Sequence, residues 1–265
     1  MRYAKERPAT YLMTALLATL LSLGGMAAAQ AAEFSYNGDT GPAYWWELDG
    51  EWAACAGDSV DAAQSPINIS KTKFDKSLKK LELVTYPTTI DIFNNGHTIE
   101  QRYEDTGSTI YFNGVSYELA QFHFHTLSEH VVDSRHALME MHLVFSEPGG
   151  TNLVIGQLFG PARGNNQFIQ KLIDAGLPQK DGDETITTDL IDVGDGLVNT
   201  NSYYTYSGSL TTPPCSEVVT WVVLKKHGVL SKEQFQAFRR ILGNNFRPVQ
   251  DQNGREVTAT WDHKQ

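Results

Sequence analysis

From residue 33 onward, apolar positions recur mainly with a period of two. Runs such as "LELVTY", "TIDIFNN", "TIYFNGVSYEL", "AQFHFHTL", "ALMEMHLVFS", "NLVIGQLF" and "VVTWVVLKK", broken by Gly, Asn or Pro, predict strands. The uninterrupted "VVTWVVL" predicts a central strand covered on both faces. Helical spacing is confined to two stretches: "NNQFIQKLIDAG", stopped by Gly176, and "SKEQFQAFRRILGNN", capped by Ser231 and terminated at Gly243. No repeat, low-complexity linker or shift of composition interrupts residues 32–265, so the expectation is one β-dominated α+β domain with short peripheral helices.

The first 31 residues follow a different rule. Arg2, Lys5 and Arg7 precede an uncharged, largely apolar stretch that ends in Ala29-Gln30-Ala31, the layout of a cleavable secretory signal peptide. An uncleaved anchor is the alternative, because the stretch is long enough to cross a bilayer. Cleavage after Ala31 predicts a periplasmic or secreted protein with no membrane contact afterwards, and takes the formal charge from −10 to −12. With 21 basic against 31 acidic residues, and no basic run interleaved with aromatics, nucleic acid is excluded as a natural partner. Cys55 and Cys215 are the only cysteines, and export predicts that they form a disulfide rather than two separate thiols. Closing so long a loop is worth at most about 5 kcal/mol in the chain-entropy account.

Candidate chemistry enters at "AQFHFHTLSEH". In a strand, residues two apart share a face, so Gln121, His123 and His125 point one way while Phe122 and Phe124 point into a core. The two imidazoles stand roughly 6–7 Å apart along the strand. Downstream, "ALMEMHLVF" places Glu140, His142 and Val144 on one face and Met139, Met141 and Leu143 on the other. An antiparallel return would bring His142 to the first pair. Six of the eight histidines fall between His97 and His142. Three neutral imidazoles with a fourth position open make a catalytic rather than a structural zinc site, although Co, Ni or Cu would take the same nitrogens. His-x-His followed by Glu129 also opens the motif of cupin barrels, whose second half, Pro-x-Gly-x-x-His, does not follow here.

Seven blocks then carry a closer likeness: "QSPINI", "NNGH", "QFHFH", "SEH", "MEMHLV", "GSLTTPPCSEVVTW" and "NNFRPVQ", in that order from Gln64 to Gln250, with "GPAYWWEL" preceding them. In these the chain resembles an α-class carbonic anhydrase. The resemblance implies a central, largely antiparallel twisted sheet of about ten strands, zinc as cofactor, and reversible hydration of CO2 to bicarbonate by attack of zinc-bound hydroxide. It implies that His123, His125 and His142 are the zinc ligands and that Gln121 and Glu140 orient their rings. Glu129 and Thr211 would direct the hydroxide, since a hydroxyl that donates to a carboxylate can only accept from the nucleophile.

By the same resemblance Val144, Val154, Leu210, Val219 and Trp221 form an apolar pocket for CO2, with Thr212 at its entrance. His97 would carry the proton to solvent, a task suited to imidazole, with Tyr36 and Asn95 in the water network. Glu100 departs from the family, because many members carry a neutral amide there. His130 and His136 are expected to be structural, and His227 and His263 peripheral. Bacterial members often pair as homodimers. A cupin-type oxygenase or isomerase and a non-catalytic carbonic-anhydrase-like binding module are the rival readings, the latter opposed by all three histidines being present.

Overall fold

The computed structural model describes residues 32–103 and 106–260. The expected signal peptide, residues 1–31, therefore lies outside the described residues.

Ten strands follow one another across the main sheet: β1 (Lys73–Asp75), β2 (Thr88–Asn94), β3 (Ile99–Arg102), β4 (Val115–His125), β5 (Met139–Ser146), β6 (Asn152–Pro161), β7 (Glu184–Ile191), β8 (Tyr203–Gly208), β9 (Val219–Leu224) and β10 (Thr258–Thr260). Their order is β7-β2-β3-β4-β5-β6-β9-β8-β10-β1. Glu82–Val84, Thr109–Phe112 and Gly228–Leu230 join off this path and bring the sheet to 13 strands. Only β6 with β9, β6 with Gly228–Leu230, and β10 with β1 pair in parallel, so the sheet is mixed but largely antiparallel.

One ladder row crosses all ten strands, from Glu184 through Phe93, Glu100, His123, His142, Gly156, Val223, Tyr204 and Ala259 to Phe74. Residues paired in register share a face, and this row lies on the face that carries the histidines. The opposite face holds the larger core. Phe122, Phe124, Met139, Met141, Leu143 and Phe145 pack there against helix α1 (Gln167–Ala175) and helix α2 (Lys232–Leu242), through Phe168, Ile169, Leu172 and Phe238. Each such side chain contributes about 1.5–3 kcal/mol on burial.

Both helices end where their sequences place the signals. The Asn166 side chain accepts from Ile169 N–H, and Ser231 with Gln234 forms a reciprocal capping box. A smaller sheet of Asn68–Ile69, Val131–Val132 and Arg135–His136 anchors the segment that follows β4. Cys55 and Cys215 are joined by a disulfide, which packs with Trp45 beneath Phe34 and Tyr36.

Candidate metal centre

The antiparallel pairing of β4 with β5 sets His142 opposite His123 and Glu140 opposite His125. The three imidazoles consequently converge. Ring centroids are 5.0, 5.2 and 4.6 Å apart, and one nitrogen from each ring lies within 4.8 Å of the others.

Each ring is held by a different partner. His123 Nδ1 donates to Gln121 Oε1 at 2.8 Å, and His125 Nδ1 donates to the Asn245 carbonyl at 2.7 Å. Because a carbonyl can only accept, both rings carry their proton on Nδ1 and turn a bare Nε2 inward. His125 Nε2 is buried with no hydrogen-bond partner. His142 is reversed: its Nε2 lies 3.0 Å from Glu140 Oε1, without the alignment of a hydrogen bond, which leaves Nδ1 facing the other rings. Burial, and then the neighbouring His125 and His142, hold the His123 pKa well below the usual imidazole range; burial also lowers His125, against the pull of Glu129. Neutral rings with aimed lone pairs are what a divalent ion requires, so the residues present fit a zinc-like ion.

Glu140 anchors a buried polar frame. Its Oε2 accepts from the backbone N–H groups of Glu129 and His130, and its Oε1 from His130 Nδ1 at 2.7 Å. Burial alone would raise its pKa, but His130 and His142 together hold it well below the carboxylate range. Gly156, opposite His142 in register, makes room for this carboxylate: a Cβ there would lie 2.6 Å from Glu140 Oε1. His130, Glu140 and His142 also cluster as possible ligands. However, both His130 nitrogens are occupied, Nδ1 by Glu140 and Nε2 by the Tyr206 hydroxyl at 2.6 Å.

The loops complete the frame. Glu129 is buried, with Oε1 accepting from Arg247 N–H at 2.7 Å and Oε2 unpartnered, 4.0 Å from His142 Nδ1. Thr211 is buried in the segment between β8 and β9; among the described residues no hydrogen bond joins it to Glu129. The Arg247 side chain is buried as well and donates to Gln64, Ser65 and the Cys55 carbonyl. Burial lowers its pKa to about 10, against the attraction of Glu129. Asn245 reaches in three directions: its Oδ1 accepts from Thr126 N–H, and its Nδ2 donates to the His97 and Phe124 carbonyls.

Val154, Val219 and Trp221 form one buried cluster, with Val144 and Leu210 packed against it and the Trp221 ring 4.8 Å from that of His142. Thr212 is half-buried beside Thr211. His97 follows Gly96, which adopts φ +80°, in the turn after β2. Its ring stacks on Phe34 at 3.8 Å, and partial burial lowers its pKa against the pull of Asp181 and Glu33. Asn95 Oδ1 accepts from the N–H groups of His97 and Thr98 and so builds that turn. Burial, then the Glu129 charge, raises the Tyr36 pKa well above the usual phenol value.

Asn245, Arg247, Tyr206 and Gly156 were not singled out by residue pattern. Asn245 acts on His125 through a backbone carbonyl, which leaves no side-chain signal, and Gly156 acts by having no side chain.

Residues 40–261 match the family described as eukaryotic-type carbonic anhydrase. The chain is similar to a carbonic anhydrase of Neisseria gonorrhoeae (34% identity, covering 93% of this chain and 95% of that one). It is likewise similar to one of Nostoc sp. (38% identity, 87% of each). Among solved structures it resembles an α-carbonic anhydrase of Thermovibrio ammonificans in complex with the inhibitor sulfanilamide, with TM-score 0.80, 35% identity, and coverage of 86% of this chain and 100% of that one.

Proposed function

Because the chain belongs to the eukaryotic-type, or α-class, carbonic anhydrases, enzymes of reversible CO2 hydration, we propose that it works with a zinc ion held by His123, His125 and His142. The buried, unpartnered Nε2 of His125 carries this reading. A buried ring nitrogen without a hydrogen bond is costly unless a ligand completes it. When bound, the ion supplies Lewis acidity that makes water nucleophilic at neutral pH, an effect for which carbonic anhydrases are themselves the standard case.

The chain's own groups do the rest. Gln121, the Asn245 carbonyl and Glu140 fix the ring orientations. Glu129 keeps one oxygen tied to Arg247 N–H and offers the other as an acceptor. Thr211, buried between β8 and β9, would donate its hydroxyl proton to that oxygen, and its own oxygen would then accept from the attacking water. CO2, uncharged, is held against Val144, Val154, Leu210, Val219 and Trp221, with Thr212 at the mouth. His97 takes the released proton to solvent, and Tyr36, kept protonated by burial, orders water between. Asn95 holds His97 in place through the turn. Export with removal of residues 1–31 accords with the disulfide that joins Cys55 and Cys215.

Stopped-flow CO2 hydration on the purified chain, before and after chelation, tests the reading. Rapid hydration that is lost on chelation and restored by zinc is expected. A zinc-replete chain that leaves CO2 untouched would turn the reading towards a binding module.

A further inference from the structure

Glu100 stands beside His123 in the ladder row, so its side chain leaves the sheet on the face where the three imidazoles converge. It is half-buried. Among the described residues its carboxylate makes no hydrogen bond and no ion pair. Burial raises its pKa, and Arg102, two residues along on the same face, opposes that by attraction without forming an ion pair with it: the guanidinium lies 3.7 Å over the Phe93 ring and 3.8 Å from Glu184 Oε1. The opposite wall of the site is the uncharged cluster of Val144, Val154, Val219 and Trp221. The wall formed by the strands beside His123 therefore carries a carboxylate, and the apolar wall carries no charged group.

Cross-strand neighbours have Cβ atoms about 4.5–5.5 Å apart, so this carboxylate lies within about one Debye length of the point the imidazoles surround. The reaction converts a neutral molecule into an anion at that point. A fixed negative charge there leaves the neutral partner untouched and repels the anionic one. We propose that Glu100 is a specificity-determining residue that disfavours anions at the metal site, hastening bicarbonate departure and weakening capture of other monoanions. The inference rests on the carbonic anhydrase reading of the site.

The test is calorimetric titration of the zinc-loaded protein with thiocyanate, comparing the native chain with Glu100→Gln and Glu100→Asp. Removing the charge while keeping the shape should tighten thiocyanate binding about three- to tenfold, and the gain should shrink as ionic strength rises. Glu100→Asp, which keeps the charge, should bind thiocyanate as weakly as the native chain. Neutral imidazole, titrated above its own pKa, should bind native and Glu100→Gln chains alike. Equal thiocyanate affinity in the native and Gln chains, or an equal gain in the Asp chain, overturns the inference while leaving CO2 hydration by the native chain to judge the broader reading. A gain that ignores salt would assign the effect to packing and equally overturn it.

Discussion

The site is assembled from two unlike regions. The imidazoles come from neighbouring strands, where ladder register alone sets them face to face. Glu129, Thr211, Asn245 and Arg247 come from connecting segments, where Glu129, Asn245 and Arg247 are positioned by buried hydrogen bonds to Glu140, Thr126, Phe124, Gln64 and the Cys55 carbonyl. The contrast teaches that the strand part should lose function without losing the fold, whereas the loop part should lose stability first.

The largest effect belongs to the strand region. His142→Ala should abolish retention of zinc and lower kcat/KM for CO2 by roughly 10⁴-fold or more, out of the 10⁶-fold and greater accelerations typical of enzymes. Chelated native and variant chains should still melt within a few degrees of each other. Metal analysis and calorimetry check both; full zinc occupancy in the variant would remove His142 from the ligand set.

Next comes the loop region. Arg247→Met removes a buried charge and takes one donor each from Gln64 Oε1, the Ser65 carbonyl and the Cys55 carbonyl. Breaking such a constellation costs about 3–5 kcal/mol, which at about 2–4 °C per kcal/mol predicts a fall in Tm of roughly 10 °C. A Tm within a degree of native would erase the proposed division of labour.

Gly156→Ala sits where the two regions meet, because its Cβ would displace the Glu140 carboxylate that serves both. Zinc affinity should weaken about 10–100-fold, the usual cost of disturbing a group that orients a ligand, as measured by competition with a chromogenic chelator.

Smaller still are effects at the rim. His97→Ala should lower kcat more than kcat/KM, by up to about 10²-fold, with rescue by imidazole buffer; equal losses would indicate a damaged pocket instead. Burial depresses the His97 pKa, so its neutral, proton-accepting form persists to lower pH, and the acid limb of kcat should turn below the ordinary value of about 6.5. Phe34→Ala, which uncovers the ring, should move that inflection upward towards it.

The same contrast explains what sequence could show. A strand writes its face into every second residue, so Gln121, His123 and His125, and separately Glu140 and His142, were legible before any fold was known. The two helices were legible through their caps. Strand β7 was not singled out, because as an edge strand it exposes residues on both faces and "ETITTDLI" lacks a clean alternation. The short strands β1 and β10 have three residues each, too few to show a period. The roles proposed for Thr211 and Glu129 rest on family likeness, because loop positions depend on distant partners. The role of Asn245 escaped for the same reason.

The row that runs from Glu184 to Phe74 makes every pairing answerable to the same centre. A slip of one position between β4 and β5 would send one ring to the far side of the sheet, and the proposed zinc site would lose part of its ligand set. Loading with the ion is thus an audit of assembly: a misregistered chain would be metal-poor whatever its compactness, and chelator-resistant zinc would count the correctly folded fraction of a preparation.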